Sequence, residues 1–234
     1  MKIGILADIH ANCFALERVI DDCKRLAVEK FFFLGDFVGY YYWPKEVLDM
    51  ISGLGDFVAI GGNHEEMLRE AMVDQSRRVA IKAKYGSGID IAIETLNEQE
   101  KRFLSTLPST RALRIDGVNF LLCHGSPTKI DQYIYPDASE SELSGCFGAE
   151  ADVVLLGHTH YPFVLSQKDR IIANPGSVGQ PRDVGSLASY FVFDTKNRSM
   201  VPRRVAFDNE PILAEIAKID PENQYLGNIL RRNV

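Results

Sequence analysis

Short runs of apolar residues, each followed at once by polar side chains, recur along this chain and restrict its fold more than any other feature. The runs are rich in Val, Ile, Leu and Phe and lack polar alternation, which indicates strands that are buried on both faces. They lie at residues 2–10, 31–36, 57–64, 118–125, 152–160 and 170–177. Residues 187–194 and 199–207 are predicted to form a closing antiparallel pair.

Helical patterns fill the intervals between these runs. They are predicted at residues 12–27, 45–52, 65–86, 88–106 and 138–149. Alternation of strands and helices predicts a layered α/β fold. We expect residues 1–234 to form a single domain, because the chain shows no repeat or linker. Apolar residues at helical spacing on both sides of Gly86 and Gly88 indicate two helices, which would form a cap beside the metals over residues 65–106 or would only cover the sheet.

All five histidines of the chain lie at the predicted strand ends. Ligands of open α/β sheets bind beyond the carboxyl ends of the strands, so side chains at those ends should meet on one rim. A lone histidine there is usually a capping or core residue, but the whole set is placed alike. The set that could bind metal is Asp8, His10, Asp36, Asn63, His64, His124, His158 and His160.

Imidazole and carboxylate ligands without cysteine suit divalent Mn, Fe, Zn, Co or Ni. Seven of these residues, all except His64, are too many for one tetrahedral metal site. They suffice for two metals if one carboxylate binds both. A pair of metals about 3.5–4 Å apart can activate a water and clamp the oxygens of an in-line displacement. His64 would be left over beside Asn63, where it could donate a proton to the leaving oxygen or stabilise charge there.

The ordered motifs DIH, GDFVG, GNHE, CHG and GHTH resemble those of the calcineurin-like metallophosphoesterase family. NPGSVGQPRD at 174–183 and the aromatic stretch after Gly39 resemble its small bacterial and archaeal phosphodiesterase branch. One departure is Glu65, where aspartate is common. The resemblance implies an α/β fold, a calcineurin-like four-layer sandwich of two mixed β-sheets flanked by helices. The metals would lie at the carboxyl ends of the strands.

The resemblance also implies roles for the strand-end residues. They would form two ligand groups that share a bridging carboxylate, with one histidine kept for catalysis. One metal would take Asp8, His10 and His160, and the other would take Asn63, His124 and His158. Asp36 would bridge the two, and His64 would be the catalytic acid or charge stabiliser.

Substrate-binding residues are predicted in two loops. Arg182 could make a bidentate contact with a phosphate, and Gly176 and Gly179 could bring backbone amides near a substrate oxygen. The alternative is that this loop only supports the histidines. In the other loop, Tyr41 and Trp43 could stack on a nucleobase, or they could pack beneath the following helix or at a subunit contact.

The predicted function is a dinuclear metal-dependent phosphoesterase acting on small phosphodiesters or nucleotide-like substrates. A serine/threonine protein phosphatase or a phosphomonoesterase is the alternative, and a non-catalytic metal-binding scaffold is a third. A net charge of −6 argues against a nucleic-acid partner and against a DNA-repair nuclease. We expect a cytoplasmic enzyme without a membrane partner, because no signal peptide or membrane-length apolar run is visible. The sequence is also compatible with a homo-oligomer.

Overall fold

The computed structural model describes residues 1–167 and 169–233. Its strands are β1 Lys2–Leu6, β2 Lys30–Phe33, β3 Phe57–Ala59, β4 Thr110–Ile115, β5 Val118–Cys123, β6 Val153–Leu155, β7 Pro162–Gln167, β8 Arg170–Pro175, β9 Leu187–Asp194 and β10 Ser199–Ala206. Its helices are α1 Cys13–Arg25, α2 Pro44–Ser52, α3 Asn63–Val73, α4 Gln75–Tyr85, α5 Gly88–Thr95, α6 Glu98–Thr106, α7 Glu140–Phe147, α8 Glu210–Ile219 and α9 Gln224–Leu230.

The strands form two mixed five-stranded sheets. The first has the order β10-β9-β1-β2-β3, and the second has the order β4-β5-β6-β8-β7. In the first sheet β1, β2 and β3 are parallel, and in the second β5, β6 and β8 are parallel. Each parallel trio therefore gathers the loops after its strands at one edge.

Both faces of the parallel strands are buried, which explains the continuous apolar runs. Along β2 and just beyond it, Phe32 and Leu34 face the second sheet, whereas Phe31 and Phe33 face the helices. The core between the sheets also contains Phe120 and residues from β1, β6 and β9. A separate cluster packs α7 against the outer face of the second sheet. The predicted four-layer sandwich of two mixed sheets flanked by helices is confirmed.

Several predicted boundaries are wrong. The first, third and fifth strands end at Leu6, Ala59 and Leu155, so their polar residues lie in loops or, for Asn63 and His64, in a helix. Strands β4 and β7 were not predicted. Both lie at sheet edges, where β4 alternates exposed and half-buried residues and gives no apolar run.

The two long predicted helices are each divided in two. Asp74 ends α3 and caps α4, because its side chain accepts hydrogen bonds from the backbone N–H groups of Ser76 and Arg77. Asn97 starts α6 in the same way, in a capping box with Glu100. Helices α8 and α9 were not predicted. Among the helices of residues 1–167 and 169–233, none has the length and apolarity needed to span a membrane.

Candidate metal centre

The loops after β1, β2, β5 and β6 and the start of α3 meet at one end of the sandwich. They bring together every residue that the sequence predicted as a metal ligand, and His64 as well. Asn63 is half-buried and all the others are buried: Asp8, His10, Asp36, His64, His124, His158 and His160. Residues more than 150 positions apart thus share one site, as expected.

The backbone at these residues is left-handed, which L-residues other than glycine rarely adopt. The residues with φ between 50° and 67° at the site are Asp8, His10, Asp36, His158 and His160. Backbone hydrogen bonds between loops hold them, including those from Asp8 N to Gly35 O (3.1 Å) and from His10 N to Asp36 O (2.9 Å). Strain of this kind clusters at functional sites, so the turns serve to aim these side chains inward.

One group of side chains comprises Asp8, His10 and His160, whose ligand atoms lie within 4.8 Å of one another. His160 Nε2 lies 3.5 Å from Asp8 Oδ1, and His10 Nε2 lies 4.0 Å from the same oxygen. The Nε2 atoms of the two histidines are 3.1 Å apart. The backbone N–H of His158 donates to both carboxylate oxygens of Asp8, at 3.1 and 3.2 Å, which fixes this carboxylate.

A second group comprises Asp36, His124 and His158. His124 Nε2 lies 3.2 Å from Asp36 Oδ2 and 3.0 Å from Asn63 Oδ1. Asp36 Oδ2 is also 3.7 Å from His10 Nε2, so this oxygen adjoins the first group as well. The other oxygen, Oδ1, accepts a hydrogen bond of 2.9 Å from the backbone N–H of His64.

Main-chain carbonyls orient three of the imidazoles. The Nδ1 atoms of His10, His124 and His160 lie 3.2, 2.6 and 2.7 Å from the carbonyl oxygens of Val38, Leu34 and Gln180. A carbonyl can only accept, so Nδ1 carries the proton in each ring. In the neutral ring Nε2 then keeps its lone pair, which is the usual arrangement of a metal-binding histidine.

Burial shapes the electrostatics of the cluster. It raises the pKa of Asp8, and it lowers the pKa of His10 and His160 well below their usual range. Burial also works against the charge of Asp36, but His124 and His64 hold the pKa of that carboxyl well below its usual value. Burial works against the charge of His124 as well, but the Asp36 carboxylate raises the pKa of this imidazole to about 10. His10 and His160 are therefore ready to bind a metal ion, whereas His124 would have to release a proton on binding one.

The donor set fits divalent metal ions. The two Nε2 lone pairs of His10 and His160 converge at hydrogen-bond distance, where a shared cation would satisfy both. His158 Nε2 is buried and has no hydrogen-bond partner among the described residues. Buried polar atoms are normally paired, so imidazole nitrogens and carboxylate oxygens directed at one another indicate a place for cations.

Glu65 supports the centre without belonging to either group, and sequence reasoning missed this role. Its buried carboxylate accepts backbone hydrogen bonds from Gly62 (2.7 Å), Asp36 (2.8 Å) and Phe37 (2.9 Å). It thereby ties the turn after β2 to the start of α3. The available signal was an acidic residue directly after GNH, in the first turn of a helix.

The loop at 174–183 supports the histidines from behind. Asn174 donates to Gly157 O at 2.6 Å, and Ser177 donates to Asp8 O at 2.7 Å.

The prediction that glycine amides approach the substrate is wrong. The N–H of Gly176 donates to Asn174 Oδ1, and the N–H of Gly179 donates to Asp8 O. A Cβ on Gly179 would lie 1.8 Å from Ile9 O, so close packing explains this glycine.

A cavity of about 360 Å³ opens onto the metal centre. Arg182 lines it, and the Nε of Arg182 is buried without a partner among the described residues. Burial works against the charge of Arg182, but nearby Tyr225, Tyr40 and Tyr133 hold its pKa above the usual value. The predicted position of Arg182 beside the centre therefore agrees with the geometry.

The predicted substrate contacts of Tyr41 and Trp43 are corrected. Tyr41 is completely buried in the core. Trp43 precedes α2 and packs edge-on against Phe14, with ring centroids 4.9 Å apart. Neither lines the cavity. Tyr40 lines it instead, because its left-handed backbone turns the ring toward His64, 4.8 Å away.

Helices α3 and α4 form one wall of the cavity. Residues of both helices line it, namely Glu66, Met67, Glu70, Arg77, Lys84 and Tyr85. No residue of α5 or α6 within the described chain lines this cavity. The part of segment 65–106 beside the centre thus ends at Tyr85, and a cap function for the whole segment stays a prediction.

The clustered imidazoles and carboxylates fit a protein that binds divalent metal ions at the strand ends of its sheets. The chain belongs to the calcineurin-like phosphoesterase superfamily, whose domain model matches residues 1–198. It is accordingly a metallophosphoesterase, a hydrolase of phosphate ester bonds, and the resemblance seen in the motifs is confirmed.

Relatives are found over most of the chain. An uncharacterized protein of Methanocaldococcus jannaschii is 31% identical to this chain, and the match covers 92% of the length of each protein. The phosphodiesterase YfcE of Escherichia coli is 23% identical, covering 93% of this chain and 98% of YfcE. The crystal structure of a metallophosphoesterase from Sphaerobacter thermophilus superposes with a TM-score of 0.81 at 26% identity and covers 98% of each chain.

We expect Glu65→Gln to destabilise the protein. Both carboxylate oxygens accept backbone hydrogen bonds, and the amide nitrogen of glutamine would face an N–H group instead. Leaving a buried donor unpaired should lower the free energy of unfolding by about 1–3 kcal/mol. Urea denaturation measures the change, with the exposed Glu17→Gln as control. Equal stability of the two variants would contradict a supporting role for Glu65.

Proposed function

We propose that this enzyme is a dinuclear metal-dependent phosphodiesterase of small phosphodiesters, including nucleotide-like ones. One observation carries the proposal. Asp36 Oδ2 lies 3.2 Å from His124 Nε2 in one group and 3.7 Å from His10 Nε2 in the other. A single carboxylate can therefore serve both groups, which is what allows this ligand set to hold two ions.

The ligand roles follow from this arrangement. Asp8, His10 and His160 would hold one ion, Asn63, His124 and His158 would hold the other, and Asp36 would serve both. The imidazole and carboxylate donors suit Mn, Fe, Zn, Co or Ni. When bound, two such ions supply Lewis-acid charge that activates water and offsets charge on the phosphoryl oxygens.

The remaining polar groups of the cavity act on the substrate. Arg182 binds a phosphoryl oxygen through its guanidinium, which has the fork geometry that suits phosphate. His64 lies between the centre and Tyr85, and its backbone is fixed by Asp36. It donates a proton to the leaving oxygen, or stabilises the charge that develops there. We infer that His64 acts in catalysis and not as a metal ligand, although its ring also lies within reach of the ligand atoms of His10 and Asp36.

The dimensions of the cavity favour a small diester. A volume of about 360 Å³ lies within the range of about 300–1,000 Å³ that small-molecule sites occupy. The curated relative YfcE is named a phosphodiesterase and is covered over 98% of its length. A phosphoprotein would need an open surface around the metals, whereas α3 and α4 wall this centre on one side.

Asp36→Asn tests the dinuclear centre. The substitution removes the charge of the bridging carboxylate while keeping its size, so the bound metal should fall from about two ions per chain and nearly all activity should be lost. Metal analysis of the purified protein measures the first effect. Asp56→Asn, at an exposed aspartate paired with Lys30, serves as control. Two tightly bound ions in Asp36→Asn would rule out the bridge, and a metal-loaded wild-type protein that hydrolyses no phosphate ester would favour the scaffold alternative.

His64→Ala separates catalysis from metal binding. The variant should keep its metals and lose roughly 10²–10⁴ in kcat, as expected for a positioned proton donor. The loss should be smaller for esters of nitrophenol, because a good leaving group needs less protonation. Steady-state kinetics on esters of graded leaving-group pKa, with metal content measured in parallel, gives the comparison. Equal losses across the series would leave charge stabilisation as the role.

Arg182→Ala should raise KM and leave metal content unchanged. Loss of a bidentate phosphate contact should cost about tenfold in KM, equivalent to about 1.4 kcal/mol. Arg182→Lys should recover only part of the loss, because a lysine lacks the guanidinium fork. The exposed Arg18→Ala is the control. An unaltered KM for several substrates would assign this arginine to structure alone.

A further inference from the structure

One aromatic side chain of the cavity, Tyr133, has no role in the proposed function. Tyr133 lies in the loop between β5 and α7 and lines the same cavity as the metal centre. Its ring centroid lies 4.2 Å from that of His158, a proposed ligand. The residue is nevertheless 46% exposed. Part of the ring is therefore open to whatever enters the cavity.

Neighbouring tyrosines hold this ring in place. Tyr135 is nearly parallel to Tyr133, with an interplanar angle of 14° and centroids 5.7 Å apart. Tyr161, the residue after His160, packs against Tyr135 with centroids 6.0 Å apart. Two side chains therefore contact Tyr133 directly, namely His158 in the metal centre and Tyr135 outside it. A ring held in this way loses little rotational freedom when a ligand stacks on it.

Tyr133 and Arg182 line one cavity together with the metal centre. A phosphate between the proposed ligands and Arg182 would place the group esterified to it next to the tyrosine. Exposed aromatic rings beside a phosphate site stack on nucleobases in a way that tolerates different bases, because every base has a π-face. An alkyl group has no such face and would gain little from the ring.

We propose that Tyr133, supported by Tyr135, binds the base of a nucleotide phosphodiester and so determines which diesters the enzyme prefers. This inference rests on the proposed phosphodiesterase function. It moves base recognition from Tyr41, which is buried, and Trp43, which lies outside the cavity, to an exposed tyrosine that lines the cavity. The class of substrate is a nucleotide esterified at its phosphate, with the base on Tyr133 and the phosphate at the metals.

Two esters with the same leaving group test the inference. Thymidine 5′-(4-nitrophenyl phosphate) carries a base, and methyl 4-nitrophenyl phosphate does not. Tyr133→Ala should lower kcat/KM for the thymidine ester by about tenfold, mainly through KM, as loss of one stacked base implies. The methyl ester should change by less than about twofold. Tyr133→Phe keeps the ring and should behave as the wild type on both esters.

Val201→Ala provides the control. Val201 is 47% exposed on β10, so this variant also shortens an exposed apolar side chain, and it does not line the cavity. It should leave both esters unaffected. Equal losses of the two esters in Tyr133→Ala would show that the ring only supports His158. No loss on the thymidine ester would equally overturn base binding.

A binding measurement separates this inference from the proposed function. If the metal-loaded wild-type enzyme cleaves neither ester, the phosphodiesterase proposal fails. Calorimetric titration with thymidine 5′-monophosphate and with methyl phosphate then still tests whether Tyr133 binds the base. If Tyr133→Ala binds thymidine 5′-monophosphate more weakly than the wild type does but binds methyl phosphate equally well, base recognition is supported. Equal affinities of wild type and variant for thymidine 5′-monophosphate would overturn it.

Discussion

The carboxylate of Asp36 joins the loops of both sheets, and every polar atom of this residue is engaged. Its N–H donates to Glu65 and its carbonyl accepts from the N–H of His10. Oδ1 accepts from the N–H of His64, and Oδ2 faces His124 from the second sheet. Movement of any neighbouring loop would disturb at least one of these contacts. The position of Oδ2, the proposed bridging oxygen, therefore depends on loops from both sheets.

Left-handed turns at the strand ends have an energetic cost, of about 1–3 kcal/mol for each strained residue. The fold offsets this cost with hydrogen bonds between loops, such as those that Val178 and Gly179 donate to Ala7 O and Asp8 O. Tight packing also restricts which residues these turns can contain, since a Cβ on Gly62 would lie 2.2 Å from Asp36 Oδ1. The polar side chains are consequently arranged for metal binding by the backbone itself.

The sequence predicted the layered fold and the convergence of the strand-end residues because both follow from periodicity and from the geometry of parallel strands. It did not predict edge strand β4, whose alternating residues resemble a surface segment. It placed the aromatic contact at Tyr41 and Trp43, because a run of aromatics does not show which ring faces the core. The left-handed φ of Tyr40, which directs one ring of the run into the cavity, has no signature in residue type. Tyr133 lies in a loop whose path depends on packing against His158.

The pairing of β1 with both β2 and β9 has a consequence for how the chain acquires its structure during synthesis. Strand β1 pairs in parallel with β2, which follows it closely in the sequence, whereas its antiparallel partner at Leu187–Asp194 is synthesised much later. His10 and His160, whose rings meet, are separated by 150 positions. Contacts between such distant segments form slowly. In the nascent chain β1 therefore has an unpaired apolar edge until β9 has been made, and the set of proposed ligands stays incomplete until His160 has been made.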